Sequence, residues 1–276
     1  MRIFITGGTG YVGGAVVAAL HDRGHEITAL VRPESEAKNL RDRGVVIVAG
    51  ELKSLPDLTD TLKGHDAFIH AAFASTRDAV ADDRIAVEVL TRAGYTVFTS
   101  GVWVLGPGKS DESSTPNPIP LVAWRPAHEK IALAGRGAVL RPGCVYGGKQ
   151  ALLAGWFTAA DQRKPIPVVG DGNNRWAMVN IHDLADCYVR VIEQRAPGIF
   201  HGVDDTHATI NECAKALSPN IEHLSAEGPL APALTLDQYV SSEATRRKLG
   251  WTPRRTFTTS LDEQWREWRE ALLPAS

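Results

Sequence analysis

The sequence predicts an α/β protein with a doubly wound parallel sheet and a smaller C-terminal lobe. Three observations carry this reading. Short β-branched runs alternate with helical patterns through the first half of the chain. A glycine-rich turn separates the first run from the first helix. The stretches between runs suit crossover helices, the usual connection between parallel strands. The 276 residues suffice for one large domain or two small ones. We read 1–147 as the sheet domain, completed by about 177–204, and 148–276 as mainly the C-terminal lobe.

The elements follow in order. Arg2-Ile3-Phe4-Ile5-Thr6 is an apolar run that Gly7 to Gly14 breaks, so it reads as a buried strand. Val12, Val16, Ala19 and Leu20 recur at helical spacing, and Gly24 stops that helix. Glu26 to Val31 and Val45 to Val48 are the next strands, Leu55 to Leu62 a short helix, and Ala67 to His70 a fourth strand. Ile85 to Ala93 is helical and Thr96 to Thr99 a fifth strand. Ala138-Val139-Leu140-Arg141 is a sixth strand running into a loop at Pro142-Gly143. Ile181 to Glu193 reads as a helix and Gly198 to Val203 as a strand, whereas Ser218 to Pro232 shows no sustained period. Ser260-Leu261-Asp262-Glu263 has a capping-box pattern, and Leu261, Trp265, Trp268 and Leu272 follow on one core-facing stripe.

Composition removes several classes. Lys+Arg total 30 against 32 Asp+Glu, a net charge of −2, so no basic stripe for nucleic acid is expected. No apolar run approaches the roughly 20 residues of a membrane helix, and the N-terminus lacks a signal-peptide layout. The three widely spaced cysteines fit a reducing, cytoplasmic setting. No Cys or His spacing suits a metal, because His128-Glu129-Lys130-Ile131-Ala132 lacks the second histidine of a zinc-binding helix.

The turn Thr6-Gly7-Gly8-Thr9-Gly10-Tyr11-Val12-Gly13 lies between a strand and a helix. Glycines there permit a tight turn, close backbone approach to a pyrophosphate and close helix–strand packing. The helix N-terminus then offers free N–H groups and a favourable dipole to the anion. Gly7, Thr9, Gly10, Tyr11, Val12 and Gly13 are therefore expected to hold a dinucleotide. An acidic residue at the end of the second strand would repel a 2′-phosphate. Here the first polar residue is Arg32, whose guanidinium can pair with that phosphate, so NADP(H) is expected.

With these residues the chain resembles the extended short-chain dehydrogenases/reductases, the NAD(P)-dependent epimerase/dehydratase-like group on a Rossmann fold. Gly50-Glu51-Leu52 resembles the segment where an acidic residue and its neighbour approach the adenine, which implicates Glu51 and Leu52. Ala71-Ala72 resembles the small pair that brings the cofactor close. Leu140 to Gly147 resembles the loop that carries the nicotinamide, which implicates Pro142 and Val145. Val179 to Ala185 and Lys248 to Pro253 resemble two further family segments. The resemblance also implies a small-molecule substrate, and homodimers are common in the group.

The departures bear on chemistry. The family's catalyst is a Ser or Thr after the fifth strand plus Tyr-x-x-x-Lys on a helix. Alignment on the glycine that closes Ser100-Gly101-Val102-Trp103-Val104-Leu105-Gly106 puts Gly101 at the hydroxyl position. Glu129 sets a register with Arg125 at the lysine and Leu121 at the tyrosine. None of the five tyrosines has Lys four residues later. This marks an atypical member. Pro126 predicts a helix beginning near Arg125, with Arg125 and Glu129 on one face as an ion pair. Arg125 could also hold the ribose or a substrate anion. His128 and Glu129 are acid–base candidates, with a core or surface histidine as the plain alternative for His128. Ser100 could bond substrate or simply end a strand, and Tyr146 could replace the missing phenol. Trp103, Trp124, Trp156 and Trp176 could line an apolar substrate pocket or fill a core.

These readings imply an NADP(H)-dependent oxidoreductase that reduces a carbonyl or activated C=C of a small apolar molecule by a non-standard proton donor. Two alternatives stay open: a non-redox isomerase, dehydratase or cyclase that keeps bound NADP(H), and a catalytically silent NADP(H)-sensing regulator.

Overall fold

The computed structural model describes residues 1–74, 76–148 and 151–272. The chain forms two compact units: Met1–Ser100 with Trp124–Arg141 and Ala185–Phe200, and Gly101–Ala123 with Pro142–Leu184 and the chain from His201 onward. The sequence reading puts 101–123 in the sheet domain, but this segment belongs to the second unit. There its strand Gly108–Ser110 pairs with Gln238–Val240, and Val102, Val104 and Leu105 share a buried cluster with Ala233 and Val240.

The first unit carries β1 (Arg2–Thr6), α1 (Tyr11–Asp22), β2 (Glu26–Val31), β3 (Val46–Ala49), β4 (Ala67–His70), α2 (Ala79–Ala93), β5 (Thr96–Thr99) and α3 (Arg125–Ala134). Two further strands, β6 (Ala138–Pro142) and β7 (Gly198–Gly202), complete its sheet. The seven strands run β7-β6-β5-β4-β1-β2-β3. β1 pairs in parallel with β2, Thr6 opposite Leu30, and with β4, Thr6 opposite His70. The order reverses beside β1, so the C-terminal ends of β1 and β4 open side by side at the switch point. That is where ligands bind in open α/β sheets.

Phe4, Leu30, Leu55, Leu62, Phe68, Ala86 and Leu90 form one buried cluster of this unit. Val87, Phe98, Ala132 and Val139 form another. Each fully buried aliphatic or aromatic side chain contributes about 1.5–3 kcal/mol. The helix expected from Ile85 starts at Ala79 instead. Its buried residues are Ala79, Asp83, Ala86, Val87 and Leu90, a regular helical stripe in which one member is a carboxylate. The expected helix at 55–62 is a 3-10 helix, Leu52–Leu58, followed by the α-helical turn Thr59–Leu62. Pro56, inside the 3-10 stretch, lacks the N–H that an α-helix would use.

Among the described residues the second unit holds three two-stranded parallel pairs. Besides Gly108–Ser110 with Gln238–Val240, Cys144–Tyr146 pairs with Met178–Asn180, and Ile166–Val169 with Ile221–Leu224. The last strand lies in the segment read as aperiodic. It is an edge strand with Glu222, His223 and Leu224 exposed, so no buried alternation marks it in the sequence. On the C-terminal helix Leu261–Glu270, Leu261, Trp265 and Trp268 pack against the unit's core. Leu272 lies beyond the helix end and is exposed. The capping box does not form: Ser260 (φ −114°, ψ 22°) is not in the extended conformation of an N-cap, and its hydroxyl donates to the Thr256 carbonyl at 2.7 Å. Among the described residues no helix is long and apolar enough to cross a membrane, and the three cysteines are free.

Candidate functional site

The turn after β1 is set by backbone contact. Gly7 has φ +80°, and a Cβ on it would lie 2.6 Å from the carbonyl of Ala71 and the amide of Ala72. The glycine turn and the small pair after β4 thus touch main chain to main chain. A Cβ on Gly13 would collide with the Gly7 carbonyl oxygen. Gly10 donates to the Gly7 carbonyl at 2.9 Å and precedes α1 with no side chain capping it. Thr9 and Gly10 are exposed. These features fit a dinucleotide: the cradle excludes side chains where a pyrophosphate would lie, and a helix N-terminus faces it.

Arg32 directly follows β2, is exposed, and lies 3.4 Å from the Glu34 carboxylate. A surface pair of this kind is weak and opens at little cost. Glu51 begins the 3-10 helix at Leu52 and pairs with Lys53 at 2.7 Å. The hydrogen bond and charge of Lys53 hold its carboxyl below the usual range.

Past β5, the candidate side chains are committed to one another. Ser100 donates to Glu129 at 2.5 Å. Glu129 takes a bidentate pair from Arg141, Nε to Oε1 at 2.9 Å and Nη2 to Oε2 at 2.7 Å. All three residues are buried. The expected Arg125–Glu129 ion pair is therefore absent, because Arg141 on β6 holds both carboxylate oxygens. Arg125 sits in the first turn of α3, as Pro126 predicts. Its Nη1 donates to the Thr99 carbonyl at 2.9 Å, and its Cζ lies 4.7 Å from the Trp124 ring centroid.

His128 is a core histidine. Its Nδ1 lies 2.6 Å from Asp83 Oδ2, the other Asp83 oxygen is 3.2 Å from His70 Nε2, and His70 Nδ1 meets the Thr6 hydroxyl at 2.7 Å. Burial alone would raise the Asp83 carboxyl, but the two imidazoles outweigh it and keep it below its ordinary value. The chain Thr6–His70–Asp83–His128 thus runs from the residue before the glycine turn to α3.

Sequence reading missed Asp83, His70, Arg141 and Phe73 at this site. The signal for Arg141 was a charge inside the apolar run Ala138–Leu140, which calls for a buried partner.

The remaining candidates belong to the second unit. Pro142 ends β6, and Val145 lies on the strand Cys144–Tyr146. Trp156 and Trp176 are core residues, their indoles donating to the carbonyls of Pro167 and Leu234. Trp103 is half-buried against the cluster around Val104. Of the four tryptophans only Trp103 and Trp124 keep partial exposure, so Trp156 and Trp176 do not line an open pocket.

Tyr146 is 1% exposed and donates to Asp204 Oδ2 at 2.9 Å. Burial and the adjacent carboxylate push its phenol well above the ordinary value, which disfavours it as a replacement catalyst. Asp204 is itself pushed up to about 6, chiefly by burial. An acid whose folded pKa is raised contributes stability that is full below its unfolded value and lost as pH rises through the folded value. Wild type is expected to lose about 2–3 kcal/mol relative to Asp204→Asn between roughly pH 4 and pH 7. Denaturant unfolding at both pH values reads this, and parallel behaviour of the two proteins would count against it.

A family profile described as NAD(P)H-binding matches residues 7–130. An uncharacterized protein of Schizosaccharomyces pombe is 31% identical over 281 residues, which span 92% of this chain and 95% of that one. The 4-hydroxy-2-methyl-3-oxo-4-farnesyl-3,4-dihydroquinoline-1-oxide ketoreductase of Stigmatella aurantiaca is 39% identical over 72 residues, 26% of this chain and 22% of that one. In fold the chain is similar to dTDP-glucose 4,6-dehydratase of Bacillus anthracis in complex with NAD, with a TM-score of 0.84, 20% identity, and 98% and 97% of the two chains covered. With the seven-stranded sheet and the glycine turn at its switch point, these likenesses place the chain in one family with the Schizosaccharomyces pombe protein, with an NAD(P)H-binding domain over residues 7–130 on the fold of the dehydratase.

Proposed function

We propose that this protein is an NADP(H)-dependent oxidoreductase that reduces a carbonyl or activated C=C of a small, mainly apolar molecule. The observation that carries the reading is the glycine turn seated on Ala71-Ala72 with Arg32 at the end of β2. When bound, the nicotinamide cofactor supplies two-electron reduction. The chain's part is to bind and orient. Gly7, Thr9, Gly10, Tyr11, Val12 and Gly13 hold the pyrophosphate on α1, and Arg32 takes the 2′-phosphate. Glu51 and Leu52 flank the adenine. The similarity to a ketoreductase supports carbonyl reduction.

The proton comes from water or from the substrate. Ser100 and Tyr146 are buried and donate to Glu129 and Asp204, and His128 is buried beneath Trp124 with Asp83 on its Nδ1, so none presents a proton at an open surface. That same commitment favours a second reading, an NADP(H)-sensing protein without turnover. A spectrophotometric screen of ketones, aldehydes and enones with NADPH separates the two. The first reading expects net NADPH oxidation, with Tyr146→Phe changing kcat/KM by less than about 3-fold, against the 10²–10⁴ typical of a general acid. Binding of NADPH with no oxidation across the panel would select the sensor, and turnover without net cofactor loss an isomerase or dehydratase.

A further inference from the structure

Arg125 holds a half-buried charge that no carboxylate of the described residues approaches within ion-pair distance. The two acids that act on it electrostatically, Asp83 and Glu129, are each consumed elsewhere. Asp83 faces His128 and His70, and Glu129 faces Arg141 and Ser100. A guanidinium has five N–H donors, and the bond to the Thr99 carbonyl uses one. Burial pushes this guanidinium below its ordinary value, the mark of a cation short of compensation.

The surroundings are built. The rings of Phe73 and Trp124 stack with centroids 5.1 Å apart and planes 10° apart. The Arg125 Cζ lies 4.7 Å from the Trp124 centroid and 5.7 Å from that of Phe73. Trp124 meets His128 edge-on at 4.9 Å, and Asp83 fixes that imidazole. The platform therefore rests on buried groups, yet Phe73 is 49% exposed. An open aromatic face beside a cation that lacks a counter-ion suits a ligand with one flat apolar part and one anionic part.

The geometry points to a substrate site on the first unit for a planar apolar molecule that bears a carboxylate, with Arg125 pairing the carboxylate and Phe73 and Trp124 taking the ring. The inference deepens the oxidoreductase reading and rests on it for the placement of this platform beside the cofactor turn. It assigns Arg125 to substrate, although its register position is that of the family lysine.

The test is calorimetric titration of the NADPH-loaded protein with 2-naphthoate and with the neutral 2-naphthamide. We expect the naphthoate to bind about 10-fold or more tightly than the amide, as a charge-assisted pair requires. Arg125→Gln should remove that preference while NADPH affinity changes less than about 2-fold. Phe73→Ala, a surface change with little folding risk, should weaken both compounds about 3- to 10-fold and keep the preference. Equal affinity for the two compounds, no binding of either, or a preference that survives Arg125→Gln would overturn the assignment. So would a large loss of NADPH affinity in Arg125→Gln, which would place the guanidinium on the cofactor. The carbonyl screen is scored separately: a naphthoate preference without turnover leaves the site standing and sinks the oxidoreductase reading, and turnover without preference does the reverse.

Discussion

Replacing Glu129 with alanine is expected to destabilise the protein by about 3–5 kcal/mol, the usual cost of leaving one half of a buried ion pair alone. Arg141 is fully buried, and two of its nitrogens donate to Glu129. Its Nη1 already has no hydrogen-bond partner among the described residues. Without the carboxylate the guanidinium would lose both bonds, and Ser100 would lose its acceptor as well. The double change Glu129→Leu with Arg141→Met removes both charges and should recover most of the loss, since apolar replacements of buried pairs are often neutral or stabilising. Denaturant unfolding of the two variants reads this. A single variant within about 1 kcal/mol of wild type would show that the pair is wet or replaceable.

The second large effect is expected at Gly13. A Cβ there meets the backbone oxygen of Gly7, and the Gly7 carbon at 2.7 Å, atoms that cannot turn aside as a side-chain tip would. Gly13→Ala should therefore push α1 off the glycine turn, costing about 1–3 kcal/mol and lowering NADPH affinity about 10- to 100-fold. Gly14→Ala is the control. Its Cβ would find only the Gly8 carbonyl oxygen at 3.5 Å, ordinary contact, and alanine gains up to about 1 kcal/mol over glycine inside a helix. Equal effects at the two positions would mean that the close approach at Gly13 does not govern the site.

Legibility in the sequence followed the physics of each signal. The strands of the first unit are apolar runs punctuated by glycine, and local pattern sufficed to place β1, β2, β4 and β5. The start of α2 was hidden because Asp83 breaks an otherwise apolar stripe; its burial becomes legible only with His70 and His128, which arrive from other elements. The second unit was harder for the same reason. Met178–Asn180 has only three residues and Ile221–Leu224 is exposed along most of its length, so neither shows the buried apolar run that marks β4 and β5, and their pairing is long-range.

The cofactor turn could be read because glycine has a steric meaning at each position, as the contacts of Gly7 and Gly13 show. The catalytic candidates could not, since residue type alone does not reveal a partner. His128 and Ser100 looked available, and each is bonded to a carboxylate. Tryptophans behaved likewise: Trp156 and Trp176 fill a core, whereas Trp124 stacks on the partly exposed Phe73.

Titration of nicotinamide fluorescence with NADPH and with NADH, on wild type and Arg32→Ala, reads cofactor binding at the glycine turn. The Arg32–Glu34 pair is exposed and weak, so the guanidinium is available to a 2′-phosphate. Wild type is expected to bind NADPH at least about 10-fold more tightly than NADH, and Arg32→Ala to lose most of that preference. Equal affinity for the two cofactors in wild type, or binding of neither, would contradict this expectation.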